Sequence, residues 1–243
     1  MLRVFLSDLH VHTCLSPCGD LEMSPRKITE EARRKGIAIL GVCDHNSAEN
    51  APALLQAGLE RGVVMIPGLE VTSREEVHIL ALFDRVEAAF ALQQTVYDHL
   101  PGENDEEAFG LQVVVNALDE VTGFNSRLLI GATTLSLDRV VGFIHELEGL
   151  AIASHVDREA HGLIGQLGMI PEDLDLDALE VSPRTRLEGA RARLPARIPL
   201  LTASDAHYLG DIGAATTKFL LQEGTVGEIR QALRGQNGRR LIH

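Results

Sequence analysis

The sequence predicts an α/β protein whose parallel strands close toward a barrel, and three observations predict it. Short apolar runs alternate with helical patterns over most of the 243 residues, as in strands joined by crossover helices. Hydrophobic residues make up 45% of the chain but aromatics only 4%, with no Trp, so the core is left to Leu, Val, Ile and Ala. That composition suits strands covered on both faces. About eight or nine strand candidates fit a barrel better than an open sheet, and the length allows one barrel-sized domain or two small ones.

The first strand is read at 3–12. Ser24-Pro25 then supplies an N-cap with proline at the first helical position, and that helix ends near Lys35-Gly36. A strand at 37–43 stops at Asp44-His45-Asn46, a helix runs to about Gly62, and the run 63–66 leads into the bend Pro67-Gly68 before Leu69-Glu70. A strand at 77–83 carries His78, and others are expected at 112–115, 150–155, 178–182, 199–203 and 217–222. Ser136 is placed to cap a helix over 137–148, and Thr225 with Glu228 fits a capping box for the last helix. Residues 84–130 fit the alternation least: 102–107 reads as an exposed loop in a small inserted lobe of a single domain, 1–243.

Composition narrows the function. The net charge is −13, from 35 acidic against 22 basic residues. This disfavours an extended nucleic-acid footprint, whose affinity comes from neutralising phosphates. A small anionic substrate is still compatible, because bound cations reverse the local field of a pocket. No apolar stretch approaches the ~18 residues of a membrane span, so no membrane partner is expected. Met1-Leu2-Arg3-Val4 runs into a strand rather than a signal peptide. Cys14, Cys18 and Cys43 form neither an even framework nor a zinc-finger spacing, which favours a reducing cytoplasm.

The chemistry lies where the apolar runs end. In Asp8-Leu9-His10-Val11-His12, alternate residues share one face of the strand. Two imidazoles there can grip a divalent cation, with the Asp8 carboxylate aligned to orient a ring nitrogen from behind. The run 200–203 ends in Ser204-Asp205-Ala206-His207 and repeats the arrangement. Between them stand Asp44-His45, Glu70, His78 and His155. Each alone reads equally as a turn, a solvated acid or a satisfied core histidine; together they mark one edge of a sheet. His145-Glu146 opens like a zincin motif, but position 149 is Gly149 where the second histidine is needed. His145, His99, His161 and His243 are read as surface residues. There is no P-loop, no Gly-x-Ser-x-Gly elbow and no dinucleotide fingerprint.

This ordered set resembles the PHP family, the polymerase and histidinol phosphatase superfamily of metal-dependent phosphoesterases. The resemblance runs through Asp8-Leu9-His10-Val11-His12-Thr13, Asp44-His45-Asn46, Gly68-Leu69-Glu70-Val71, Val77-His78-Ile79, Ser154-His155 and Ser204-Asp205-Ala206-His207. It implies a distorted (β/α)7 TIM-like barrel with its metal site at the carboxyl ends of the strands. It further implies a first metal on His10, His12, Glu70 and Asp205, and a second on Glu70, His78 and His155. A third would sit on His45 and His207 with a residue of the loop after His12. The sequence departs from the family there: Pro17 and Cys18 stand where an Asp or His is usual, and Asp20 is the nearest acid. Asp20 is the expected ligand, with the Cys18 thiolate as the alternative.

Two cations ~3.5–4 Å apart suit in-line attack on phosphorus by a hydroxide held between them. The expected catalytic residues are Glu70, Asp205 and His207. Imidazole with carboxylate suits Mn, Zn or Fe rather than Mg or Ca, in two or three sites. Arg158 and Arg184 follow strand ends and are expected to bind the substrate phosphate. The expected partner is a small phosphorylated molecule or a short nucleotide. Two other readings stand beside this one, an amidohydrolase-type hydrolase and a non-catalytic metal-binding module.

Overall fold

The computed structural model describes residues 1–242 and contains, in chain order, β1 (Arg3–Val11), α1 (Pro25–Arg34), β2 (Ile39–Val42), α2 (Ala51–Arg61), β3 (Val64–Thr72), β4 (His78–Leu82), α3 (Val86–Asp98), α4 (Glu106–Phe109), β5 (Val113–Val115) and β6 (Val121–Phe124). It continues with α5 (Leu137–Glu146), β7 (Leu150–Ala153), α6 (Leu163–Leu167), β8 (Ala178–Val181), α7 (Leu187–Arg191), β9 (Leu200–Thr202), β10 (Thr217–Leu221), α8 (Val226–Leu233) and β11 (Arg240–Ile242). His243 lies outside the described residues.

Nine strands form one sheet in the order β11-β10-β1-β2-β3-β4-β7-β8-β9. β1, β2 and β3 are parallel, as are β7, β8 and β9, but β4 lies antiparallel between the two groups. The sheet curls until β9 meets β10 and the loop after β9 meets β1. That closure uses no ladder. The Thr217 hydroxyl accepts from Thr202 N (3.0 Å) and donates to Thr202 O (2.9 Å), and Val11 bridges Ala206. The architecture is thus α/β and curled, with a mixed sheet in place of strict βα repeats.

Side-chain alternation explains the layers. Phe5, Ile39, Ile66, Leu80, Ile152 and Phe219 turn to one face and pack on each other and on α8. Residues one position away, such as Ile79, Ala81 and Ala151, turn to the other face and meet Ala89, Val96, Val140 and Ile144 of α3 and α5. Helix α1 buries Pro25, Ile28, Thr29 and Ala32, the i, i+3, i+4, i+7 stripe of an amphipathic helix.

Several expectations shift. The Pro67-Gly68 pair makes no bend; both lie inside β3, where a Cβ on Gly68 would sit 2.3 Å from Ala81 O of β4. The run at 113–115 belongs to a separate two-stranded sheet with β6. Within 102–107, Asp105 caps the short α4 by accepting from Glu107 N and Ala108 N. The capping box is half formed: Thr225 accepts from Glu228 N (3.2 Å), but the Glu228 carboxylate turns to Gln222 N (2.7 Å). The β5–β6 lobe is tied down by Asn46, which donates to Leu129 O and Gly131 O, and by Asn50, which donates to Val113 O and accepts from Val115 N. Among the described residues no helix is long and apolar enough to cross a membrane.

Candidate metal centre

Because β4 runs against its neighbours, its first residue reaches the sheet edge where the parallel strands finish. His78 opens β4 opposite Thr72 of β3 and brings its ring to Glu70 two residues back, which explains a histidine at the start of an apolar run. His10 and His12 come from the end of β1 and His45 from the segment after β2, where a parallel bridge pairs it with Glu70. His155 follows β7 at φ 28°, and Asp205 follows β9 at φ 52°. Left-handed backbone at non-glycine residues costs energy and is held only where the surroundings impose it. Here it turns both side chains inward.

Glu70 is the centre. Oε1 lies 3.0 Å from His78 Nδ1, 3.3 Å from His155 Nε2 and 3.4 Å from His10 Nε2. Oε2 lies 3.2 Å from His45 Nδ1 and 3.5 Å from His12 Nε2. Both oxygens are buried, yet none of these approaches has hydrogen-bond geometry, and His45 Nδ1 and His78 Nδ1 are likewise without a partner. Buried polar atoms are ordinarily paired. Donors crowded together and left unpaired are what a metal-ligating set looks like. Three tight groups emerge: His10, His12, Glu70 and Asp205; His45, Glu70 and His78; His12, His45 and His207.

The outward nitrogens of His10, His12 and His207 are satisfied, which fixes their inward ones as acceptors. His10 Nδ1 donates to Glu180 (3.0 Å and 3.1 Å to its two oxygens). His12 Nδ1 donates to Ser16 Oγ (2.9 Å), which itself donates to Asp44 Oδ1 (2.6 Å). His207 Nδ1 donates to the Asp205 carbonyl (2.9 Å). Such outer partners set tautomer and ring orientation in metal sites. Burial disfavours the charged form of His10, but Glu180, Glu70 and Asp205 outweigh it and hold the imidazole well above its usual range. Burial, then His207, push His12 down to about 4. Burial also opposes ionisation of Glu70 and Asp205, yet their histidine neighbours keep both carboxyls well below the usual range.

A cleft of about 390 Å³ opens over this cluster, lined by Arg158, Ala160 and His161 besides the cluster itself. Arg158 Nη1 lies 2.6 Å from Asp205 Oδ2, leaving Oδ1 toward His12 Nε2 at 3.1 Å.

The structure therefore gathers His10, His12, His45, Glu70, His78, His155, Asp205 and His207. His155 approaches Glu70 but stands outside the tight groups, and His45 takes the place beside Glu70 and His78 that was expected of it. Asp20 is not gathered: Oδ1 accepts from Glu22 N (2.7 Å), so the carboxylate closes its own turn. Cys18 is exposed, its thiol pushed up to about 12 by burial of the sulfur and by Glu70. Arg184 is exposed and does not line the cleft. Asp8 does not orient His10 either, since it accepts from Ser204 N and Gly213 N where the curled sheet meets itself. Sequence reading missed Glu180, Ser16 and His161. The signal for Glu180 was an acid inside the apolar run of β8. His161 is no plain surface residue: it stacks on His78 (4.4 Å, 12°), with Nδ1 donating to Glu76 O.

Comparison with known proteins agrees with this picture. Residues 8–167 match the PHP domain, and 192–237 match a PHP-associated segment. A 5'-3' exoribonuclease of Haemophilus influenzae is 32% identical over 82 residues, covering 32% of this chain and 29% of that protein. The lesion-specific endonuclease Q of Pyrococcus furiosus superposes with a TM-score of 0.76 over 99% of this chain and 58% of its own, at 21% identity. Endonuclease Q holding a 27-mer duplex substrate, with an abasic lesion at the active site, superposes equally at 0.76, over 99% of this chain and 59% of its own, at 21% identity. The chain thus spans well under two thirds of these relatives. The duplex-bound fold overturns the expectation of a small phosphorylated partner with no extended nucleic-acid footprint. That expectation rested on net charge, and a sum over the whole chain does not describe the field at one face. The motifs at the strand ends, the donor cluster they build and the match over 8–167 agree, and the chain belongs to the PHP domain family.

Proposed function

We propose that this protein is a metal-dependent phosphoric ester hydrolase that cleaves phosphodiester bonds of nucleic acid. One observation carries the reading: a buried Glu70 carboxylate ringed by five imidazole nitrogens at 3.0–3.5 Å, with neither of its oxygens in a hydrogen bond. Divalent cations, two or three of Mn, Zn or Fe by the imidazole-rich donor set, would supply Lewis acidity and a nucleophilic water at neutral pH. His10, His12, Glu70 and Asp205 would hold one, and Glu70 with His45, His78 and His155 another. His207 would serve a third.

The chain's own groups do the positioning. Glu180 and Ser16 keep the Nε2 lone pairs of His10 and His12 turned inward. Asp205 offers Oδ1 to the cluster while Oδ2 anchors Arg158, a residue of the cleft lining whose guanidinium fork fits phosphoryl oxygens. His207 donates through Nδ1 to the Asp205 carbonyl, which leaves Nε2 as an acceptor at the edge of the cleft. No lysine stands among the lining residues, which favours this reading over the amidohydrolase one.

The test is a substrate panel with Mn²⁺-reconstituted protein. Single-stranded and duplex oligonucleotides should be shortened or nicked, and chelator should abolish the reaction. Turnover of amides or lactones with nucleic acids inert would hand the site to the amidohydrolase reading. Stoichiometric metal without turnover of any ester would make it a binding module.

A further inference from the structure

In a chain with 35 acidic residues, the connection 182–199 between β8 and β9 carries Arg184, Arg186, Arg191, Arg193 and Arg197 against Glu188 alone. All five arginines are exposed. β8 and β9 are parallel, so this connection must start at the edge that carries the donor cluster and descend the flank of the sheet to the other. Its start is fixed to the site. Asp157 accepts from Ser182 N (2.8 Å), Ser182 Oγ (2.6 Å) and Thr185 Oγ1 (2.6 Å). Asp157 is the residue before Arg158, which reaches Asp205. From the centre outward the order is Asp205, Arg158, then the arginine connection.

A second arginine group gives the contrast. Arg33, Arg34 and Arg61 line a cleft of about 490 Å³ with Glu30. They end α1 and α2, the helices that lead into the starts of β2 and β3, so they lie at the edge away from the cluster. Part of their charge is met: Glu31 accepts two bonds from Arg34 (2.7 and 2.8 Å), and Glu60 lies 3.6 Å from Arg61.

We infer that the β8–β9 connection is the nucleic-acid docking surface of this protein, its arginines tracking the phosphate backbone that leads from the cleft. The inference rests on the phosphodiesterase reading above. Exposed guanidinium groups spaced along one strip fit successive phosphates and carry no sequence information. The strip also reconciles an acidic protein with a polyanionic substrate.

The experiment measures binding of the full chain to a labelled phosphorothioate DNA duplex across a salt series. R184Q/R186Q/R193Q should lower the slope of log affinity against log salt by about two to three, near 0.9 for each phosphate no longer neutralised. R33Q/R34Q/R61Q should leave it at the wild-type value. The strip is overturned if its triple variant keeps the wild-type slope, or if the control variant loses as much. Wild-type protein that binds no duplex even at low salt would overturn the nucleic-acid reading together with the strip. Should the triple variant fail to fold, R186Q alone should lower the slope by about one, and an unchanged slope there overturns the strip equally.

Discussion

Two histidine–carboxylate clusters sit at opposite edges of the same sheet, and they are built on opposite rules. At the edge before β8, Asp177 Oδ2 accepts from His145 Nε2 (3.0 Å) and from Ala151 N (3.0 Å), while Oδ1 faces Arg230 and Arg234 at 3.8 and 3.7 Å. Arg230 goes on to donate to Glu148 O and Gly149 O. Every group there has found a protein partner. At the Glu70 edge both Glu70 oxygens and the His45 and His78 Nδ1 atoms that face them have none, although more nitrogens lie as close. Composition alone does not separate the two; satisfaction does. The first cluster spends its hydrogen bonds on holding α5, β7, β8 and α8 together, and the second keeps its lone pairs for ions.

The comparison breaks most sharply at the centre. Glu70→Gln removes the charge that two donor groups share. It should strip metal from both and lower turnover by more than roughly 100-fold, beyond the range of residues that only support a metal site. Elemental analysis beside an activity assay checks this, with circular dichroism to follow the fold. Full metal content with full activity would place Glu70 outside the site.

One layer out, Glu180→Ala and Ser16→Ala leave every inward donor in place. Each frees a ring nitrogen that the native partner had fixed, and each should weaken metal affinity by roughly 10–100-fold. Metal titration against a chromogenic chelator reads this without any substrate. Glu180→Gln should be milder than Glu180→Ala, because the amide oxygen still accepts from His10 Nδ1. Equal loss in both would make the Glu180 charge, rather than its orientation of the ring, the decisive property.

These outer partners also show where the sequence was legible. His10, His12, His45, Glu70, Asp205 and His207 stand at or beyond runs whose apolar character announces a strand, so their convergence on one edge could be read directly. His78 could be read as present but not as placed, since β4's reversed direction is set by pairing with β3 and β7, not by its own residues. Glu180 and Ser16 were hidden because they act across 170 and 4 residues of sequence on rings whose orientation only packing decides. The curl itself was legible from alternation, whereas the mixed sheet was not. Asp8 was misassigned because strand parity gives a face but not a reach, and its carboxylate is taken by the Ser204 and Gly213 amides.

At the satisfied edge the expected losses concern stability alone. Asp177→Ala leaves His145 Nε2 and Ala151 N without their acceptor and should cost about 1–3 kcal/mol, with metal affinity unchanged. The bond to Asp177 raises His145 above its usual 6.5. A histidine raised on folding contributes stability fully below its unfolded value and loses it as pH rises through the folded one. The gap in Tm between wild type and His145→Ala should therefore be wider at acid pH than at alkaline pH. A gap independent of pH would mean that packing, not the ion pair, holds His145. Loss of metal in Asp177→Ala would undo the separation of the two edges.

The smallest effect is expected at Asp20, where family resemblance and structure pull apart. Resemblance to the family makes this acid the third-metal ligand, being the nearest to His12 in its loop. The structure bonds Asp20 N to His207 O (2.9 Å) and turns the carboxylate onto Glu22 N (2.7 Å). The backbone thus reaches the cluster while the charge points away. Moreover, His12 Nε2 stands in two donor groups and its Nδ1 is spent on Ser16, so one group must complete its shell by other means. Asn keeps a side-chain oxygen for Glu22 N, so Asp20→Asn should change neither metal content nor turnover. Selective loss of one metal in that variant would show that the loop rearranges when ions bind and that Asp20 is recruited as a ligand. Loss in Cys18→Ser instead would assign that ligand position to sulfur.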